Sequence, residues 1–237
     1  MATREQHGDV ADARRDQMLA AAATLIAERG FSETRIADVA DRVNASPALV
    51  IYYFKTKDQL LTEAIRFSED SWYEGGTSRL ALIETAAGRL EELVALSCLP
   101  EAEDPEAPSS SWLLWLDLWA QAARHPEVAA VRQKFDERWR NTIASLVAQG
   151  QAAGEFGPVD AAEFAATMSA LMDGFAVQIA LEDPTIGPGR AFGLCMRFAA
   201  SQLGFTWVPR HRTDDGPALD GAQPPAAQAV NSVQAGR

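Results

Sequence analysis

The segment from residue 34 to residue 57, TRIADVADRVNASPALVIYYFKTK, limits most strongly what this chain can fold into. Its first half repeats apolar residues at the i, i+3, i+4, i+7 spacing of one helix face: Ile36, Val39, Ala40 and Val43. Ser46 offers a side-chain oxygen to the start of a second helix, and Pro47 suits the first helical position because proline has no N–H. The turn between them, Asn44-Ala45, is so short that the two helices must cross steeply.

Two short helices joined in this way predict a helix-turn-helix unit whose second helix enters a major groove of DNA. Thr34 is expected to cap the first helix, and Arg35 and Arg42 flank the unit as candidates for base or phosphate contacts. The second helix carries no Arg, Asn or Gln that could read a base edge with two hydrogen bonds. The candidate DNA-binding residues are Thr34, Arg35, Arg42, Ser46, Pro47, Ala48, Leu49, Tyr52, Tyr53 and Lys57.

These residues resemble the TetR family of ligand-responsive repressors over about residues 14–66. The family's motif consists of a Thr, an apolar residue followed by Ala, a short turn with Ser, and Tyr-x-Phe-x-x-Lys-x-x-Leu. Its counterparts here are Thr34, Val39-Ala40, Asn44-Ala45-Ser46 and the run from Tyr52 to Leu60. Ile51 departs from the pattern, because many members have a phosphate-binding Tyr there. Further on, Trp115 to Trp119 and Asp173-Gly174-Phe175 are similar to the branch around the choline-responsive repressor.

The resemblance implies a homodimeric transcriptional repressor that binds a palindromic double-stranded DNA operator and is released by a small-molecule effector. In the family, the last two helices of each chain pack against those of its partner. The candidate dimer-interface residues are Phe164, Ala170, Phe192 and Phe198. The alternative from another functional class is a helical small-molecule sensor or carrier whose head binds protein rather than DNA.

The formal net charge of −12 is unevenly distributed along the 237 residues. Residues 1–66 carry nine Lys and Arg side chains against ten Asp and Glu, so the acidity lies almost entirely in residues 67–237. A near-neutral head differs from the basic face of a strong electrostatic DNA binder. We therefore expect modest non-specific affinity and a shallow dependence of DNA binding on salt.

Helical periodicity along the chain predicts an all-α fold of about nine helices and no strand. A first helix is expected from about Arg14 to Arg29, a fourth from Lys57 towards Trp72 that ends or breaks at Gly75-Gly76, and the next from Arg79. The predicted organisation is a disordered arm (1–12), a helix-turn-helix DNA-binding domain (13–66), a ligand-binding and dimerisation domain (67–207) and a disordered tail (208–237).

A row of tryptophans, Trp112, Trp115 and Trp119, recurs at one-turn spacing in the second half of the chain. Such a row most often fills a core. The alternative is the wall of a ligand chamber, because aromatic faces attract cations and line apolar cavities. The candidate ligand-binding residues are Trp112, Trp115, Trp119, Phe135, Trp139, Met168, Met172 and Phe175. They suggest a cationic or aromatic effector, with Asp173 as a candidate counter-ion.

No sequence motif predicts an enzyme, a metal site or a cofactor. His7, His125 and His211 have no Cys or carboxylate at ligand spacing, and there is no phosphate-binding glycine loop, nucleophile elbow or HExxH motif. Cys98 and Cys195 are expected to be small buried hydrophobes, with a redox switch as the alternative.

The N-terminal segment, Met1 to Asp16, is polar and charged, so no secretory signal peptide is predicted. No apolar run approaches the roughly 18–20 residues that span a bilayer. The expectation is a cytoplasmic protein with no membrane partner.

Overall fold

The computed structural model of the chain describes residues 2–99 and 110–209, and all regular structure in these two ranges is helical. The all-α prediction is confirmed. The helices are α1 (Ala2–Arg29), α2 (Ile36–Arg42), α3 (Pro47–Phe54), α4 (Lys57–Leu80), α5 (Ala86–Cys98), α6 (Ser110–Ala122), α7 (Pro126–Ala152), α8 (Ala161–Ala180) and α9 (Pro188–Leu203).

Local sequence signals account for many of these helix boundaries. Ser46 caps α3, where its side chain accepts a hydrogen bond from the Leu49 N–H at 3.2 Å. Gly30 ends α1 in the left-handed region at φ 87°, as expected for a residue without a Cβ. Asn44 in the turn between α2 and α3 has φ 51°, a conformation that Asn tolerates better than most residues. These positions fix the helix-turn-helix as the sequence predicts.

Two predicted boundaries are wrong. The first helix begins at Ala2, not near Arg14, so residues 2–12 are helical rather than a disordered arm. The fourth helix also continues through Gly75-Gly76 to Leu80, because a glycine costs a helix only about 1 kcal/mol relative to alanine. Gly76 is buried, and a Cβ there would lie 3.4 Å from Leu96 Cδ1, so its small size suits the packing of α4 on α5.

The predicted start of the fifth helix at Arg79 is therefore also wrong. The helix begins after Thr85, whose hydroxyl accepts a hydrogen bond from the Gly88 N–H at 3.1 Å. The predicted disordered tail, residues 208–237, lies outside the described residues except for its first two positions.

Two hydrophobic cores hold the helices together. The distal core joins α5, the C-terminal half of α7, α8 and α9; its main residues are Leu90, Leu93, Val94, Ile143, Val147, Phe164, Met168, Phe192 and Met196. The proximal core joins α1 to α3 and the first half of α4 to α6 and the first half of α7; its main residues are Met18, Leu25, Ile26, Val39, Val50, Phe54, Leu61, Ile65, Leu114, Leu118, Val131 and Phe135. The helix-turn-helix unit thus shares its core with α6 and α7.

The two cysteines are both buried in the distal core, as predicted. They are also neighbours, because the Cys98 side chain shares a hydrogen bond with that of Cys195. Among the described helices, none is both long and apolar enough to cross a lipid bilayer.

Gly150 on α7 provides a test of this packing. A Cβ at this position would lie 2.1 Å from the buried Phe156 ring, so Gly150→Ala must displace that ring. We expect a loss of about 1–3 kcal/mol in the free energy of unfolding, measured by urea denaturation. Gly75→Ala is the matched control, since no atom lies within 4 Å of its Cβ position; it should stabilise the protein by about 0.5–1 kcal/mol. Equal effects of the two substitutions would contradict the packing described.

Candidate functional site

The second helix of the helix-turn-helix, α3, presents one face to the core and the other to solvent. Val50 and Phe54 are buried at 0% and 1% exposure. On the outer face Leu49 is 37% exposed, Ile51 46% and Tyr52 69%. The recognition helix is therefore available at the surface, and Pro47 and Ala48 at its start are exposed too.

An arginine of α1 supports the turn in front of this helix. The Arg14 guanidinium donates to the Val43 carbonyl at 2.9 Å and to the Asn44 carbonyl at 3.3 Å. These bonds satisfy carbonyl groups at the end of α2 and hold the crossing of α2 and α3 against α1. This role could not be predicted from local sequence patterns, because the bonds join residues 29 and 30 positions apart.

Several cations of the head are engaged within the protein. Arg42 donates to both carboxylate oxygens of Glu28, at 2.8 and 3.1 Å. Lys57 Nζ donates to the Ser32 carbonyl at 2.7 Å, and Lys55 Nζ donates to the Tyr52 carbonyl at 2.7 Å. Arg35, at the N-cap of α2, is exposed. Binding to phosphates would require Arg42 and Lys57 to exchange these partners.

The structure corrects the prediction for Thr34. Its side chain is fully buried, and its hydroxyl donates to the Gly30 carbonyl at 2.8 Å, so it is not at a surface that could touch DNA. Arg35, rather than Thr34, is the N-cap of α2, and the Asp38 carboxylate accepts a bond from the Arg35 N–H at 3.2 Å.

A cavity of about 120 Å³ lies in the second part of the chain, enclosed by α4, α5, α6, α7 and α8. It is placed between the two cores, since Trp112, Trp139 and Met172 belong to the distal side and Leu114, Trp115 and Phe135 to the proximal side. The other lining residues are Ser68, Glu69, Trp72, Tyr73, Leu96, Ser97, Asp136, Arg138 and Asp173.

Six of the fifteen lining residues are aromatic. Trp72 and Trp139 pack with ring centroids 5.6 Å apart, and Trp115 meets Phe135 edge-on at 6.1 Å. Trp112 also lines the cavity. Electron-rich ring faces directed at one space are suited to a cation or to a flat apolar molecule.

Glu69 is the most unusual group of this wall. Its side chain is buried, and this burial is the main cause that raises the pKa of Glu69 to about 7. The positive charge of Arg138 lowers this pKa, and the negative charge of Asp70 raises it further. The Trp115 indole donates a hydrogen bond to the carboxylate. The Arg138 guanidinium is itself bound to Asp70 at 2.7 Å and stacks over the Tyr73 ring at 4.1 Å. Arg138, the cation that favours the charged form of Glu69, is therefore shared with Asp70.

A second carboxylate lies at the cavity mouth. Asp173 is exposed on one side, yet partial desolvation raises its pKa to about 6, and the nearby Asp136 carboxylate adds to the shift. Asp136 pairs with Arg132 at 2.5 Å. The charge of the lining residues is thus negative on balance, which favours a positively charged occupant.

The sequence-based ligand set is only partly brought together here. Trp112, Trp115, Phe135, Trp139 and Met172 line the cavity. Three other residues do not: Trp119 lines a surface groove with Ala123 and Val177, Met168 is fully buried in the distal core, and Phe175 packs on that core. Trp119 packs on Trp115 with ring centroids 6.0 Å apart and lies one helical turn beyond the cavity. Glu69, Trp72 and Arg138 were missed, because helical periodicity does not show which residues of α4 and α7 face the other helices.

The predicted dimer-interface residues also divide into two groups. Phe192 is fully buried in the distal core, so its prediction as an interface residue is wrong. Phe164 stacks on Phe198 with centroids 5.9 Å apart, and Phe198 is half-buried, while Ala170 is exposed on α8. Within the described residues, no group of three or more His, Cys, Asp and Glu side chains could hold a metal ion.

Comparisons with known proteins agree with this architecture. Residues 18–64 match the family described as bacterial regulatory proteins, tetR family, and residues 86–204 match the family described as BetI-type transcriptional repressor, C-terminal. The HTH-type transcriptional regulator BetI of Burkholderia thailandensis is 29% identical over 71% of this chain and 82% of its own. The HTH-type transcriptional regulator BetI of Serratia proteamaculans is 26% identical, and the match covers 80% of this chain and 92% of that protein.

Two solved structures are also similar. A transcriptional regulator from Saccharomonospora viridis in complex with choline has a TM-score of 0.71 and 30% identity, covering 79% of this chain and 95% of that chain. A TetR-family transcriptional regulator from a Rhodococcus species has a TM-score of 0.69 and 27% identity, covering 80% of this chain and 98% of that chain.

The buried carboxyl makes stability depend on pH. Between the ordinary pKa of about 4.5 and the folded value of about 7, the unfolded chain loses the Glu69 proton while the folded chain keeps it. The contribution of Glu69 to the free energy of unfolding is therefore fully present below pH 4.5 and is lost as the pH rises through 7. Glu69→Gln should gain stability relative to wild type from pH 5 to pH 8, measured by urea denaturation. Glu74→Gln, which removes an exposed carboxyl from the same helix, should follow the wild-type curve; identical curves for both variants would contradict the burial of Glu69.

Proposed function

The chain belongs to the TetR family of bacterial regulatory proteins and carries a BetI-type C-terminal domain, and from that membership we propose that a small organic cation controls its binding to DNA. As a member of this family, the chain is a DNA-binding transcriptional regulator. The proposal adds a homodimer, a palindromic operator and relief of repression by the cation. Such a regulator would act in the cytoplasm, where it meets chromosomal DNA.

The observation that carries the proposal is the buried Glu69 carboxyl in a wall of aromatic rings. A cation placed among Trp72, Trp112, Trp115 and Trp139 would be attracted by the ring faces and by the carboxylate together. Loss of the Glu69 proton, which burial disfavours, would become more favourable beside a bound cation. The structural neighbour from Saccharomonospora viridis binds choline, a small quaternary ammonium compound, which supports this class of ligand.

The size of the cavity supports a compact ligand. A protein cavity of roughly 150 Å³ holds a molecule as small as benzene. At about 120 Å³, the present cavity suits a trimethylammonium head with a short substituent better than a long chain or a fused ring system.

Release of DNA would follow from the position of this cavity between the two cores. A ligand held among α4, α6, α7 and α8 would shift α4 and α6 relative to the distal core. The ligand can release DNA only if it binds the conformation with misaligned heads more tightly than the aligned one. The alignment is set by α4, which connects the head to the body in each chain.

Choline and its neutral isostere 3,3-dimethylbutan-1-ol differ in charge and hardly in shape, so they test this proposal directly. Isothermal titration should show choline binding at least about tenfold more tightly than the alcohol. Glu69→Gln should remove much of that preference, and Glu74→Gln should leave it unchanged. In fluorescence anisotropy with the DNA upstream of its own gene, choline and not the alcohol should release the protein. Equal affinity for both compounds would overturn the cationic assignment.

A homodimer is supported by the exposed face of α8. Small residues follow one another there at four-residue spacing: Ala162, Ala166, Ala170 and Gly174. Small side chains permit close approach of helices, and paired identical subunits match a palindromic DNA site with half-sites roughly 34–36 Å apart. In the TetR family, the last two helices, which correspond to α8 and α9 here, form the dimer interface.

Ala170→Glu tests the dimer. A carboxylate at a closely packed interface should convert the protein to a monomer in light scattering and weaken its binding to a palindromic duplex by at least about tenfold. Ala152→Glu, an exposed alanine at the end of α7, is the control and should remain dimeric. A dimer that survives Ala170→Glu would place the interface elsewhere.

A further inference from the structure

We infer that helix α3 recognises thymine methyl groups in the major groove, so that the operator half-site is rich in A·T pairs where this helix lies. The inference rests on the DNA-binding function of the family and adds the class of sequence that the chain reads. Three observations support it: the exposed side chains of α3 are mostly apolar, the nearby Arg42 and Lys57 are bound within the protein, and thymine is the base with a methyl group in the major groove.

The exposed face of α3 is almost entirely hydrocarbon. Leu49 and Ile51 are 37% and 46% exposed, and Ala48 and Pro47 add further apolar surface. Two polar groups nearby are engaged: the Ser46 hydroxyl accepts the Leu49 N–H, and Lys55 Nζ is bound to the Tyr52 carbonyl and lies over the Tyr52 ring. The other polar groups of α3 are the phenols of Tyr52 and the half-buried Tyr53 near its C-terminal end.

The base edges of the major groove offer only one apolar group, the C5 methyl of thymine. Contact between Leu49 or Ile51 and this methyl removes apolar surface from water on both sides. Contact with the acceptors of guanine or the amino group of cytosine would instead remove water from polar atoms without replacing their hydrogen bonds, which is unfavourable. The same side chains therefore favour thymine and disfavour G·C pairs.

Two cations around α3 are bound within the protein, and a third lies outside α3. The Arg42 guanidinium is held by both oxygens of Glu28, and Lys57 is held by the Ser32 carbonyl. Arg35 is exposed at the start of α2, beside the reading helix rather than on it. Arg35 can add affinity through a phosphate, which is the same for every sequence. Sequence preference is left to the apolar face.

Replacement of thymidine by deoxyuridine tests this inference, because it removes the methyl and keeps every hydrogen-bonding group of the base pair. Operators are first selected with the full-length protein from a random duplex library. Selected duplexes are then synthesised with either base and compared by fluorescence anisotropy. We expect enrichment of A·T pairs in both half-sites and a loss of affinity of about fourfold for each methyl in contact.

Three variants assign the effect to α3. Leu49→Ala and Ile51→Ala alter exposed residues and should fold normally; each should bind the thymidine duplex more weakly and lose part of the preference over deoxyuridine. Arg35→Ala should weaken binding to both duplexes equally and keep the preference. Circular dichroism melts confirm that each variant is folded.

Three results would overturn the inference: equal affinity for the thymidine and deoxyuridine duplexes, selection of G·C pairs where α3 lies, or a full deoxyuridine effect in the Leu49→Ala, Ile51→Ala double variant. The last result would assign the preference to DNA shape. Failure to bind any duplex is a different outcome, since it would contradict the DNA-binding function itself.

Discussion

The two cores meet along α6, and the functions of this chain depend on that contact. Leu114 and Leu118 of α6 are buried with the residues of the DNA-binding head, whereas Trp112 packs on the distal core. The Asp117 carboxylate on the same helix accepts a hydrogen bond from the Phe31 N–H at 2.9 Å, directly after α1. The aromatic cavity at this contact is therefore one helix away from the helix-turn-helix. Because packed interiors change arrangement in discrete steps rather than by smooth deformation, a small displacement of α6 would reach the head.

The head and the body of the chain differ in charge. The head is nearly neutral, and several of its cations are bound to carboxylates or carbonyl groups of the protein itself. The body carries the acidity of the chain and buries one carboxyl group, Glu69, among aromatic rings. The α3 helix of the head thus presents mostly apolar side chains to solvent, while the body buries a carboxyl group whose neighbouring cation, Arg138, is shared with Asp70.

Much of the fold could be predicted from the sequence, because its signals are local. The Ser46-Pro47 start of α3, the Gly30 stop and the spacing of apolar residues on α2 each act within one helical turn. The errors concern contacts between distant residues. Burial of Gly76 on α5 keeps α4 continuous, and the Thr34 hydroxyl turns inward to the Gly30 carbonyl. For the cavity, periodicity identified the aromatic residues of α6 and α7 but could not show which neighbours they face, so Glu69 and Trp72 were missed.

The shared proximal core has a consequence for the construction of chimeric regulators. Segments 13–66 of two relatives look interchangeable by sequence, yet the head of this chain is completed by Leu114, Leu118 and Val131 from the body. A transplanted head would meet a foreign set of side chains at that contact and leave voids or clashes there. Grafts that carry α6 and the first half of α7 together with the head would keep the proximal core complete, so the unit of this core is discontinuous in sequence.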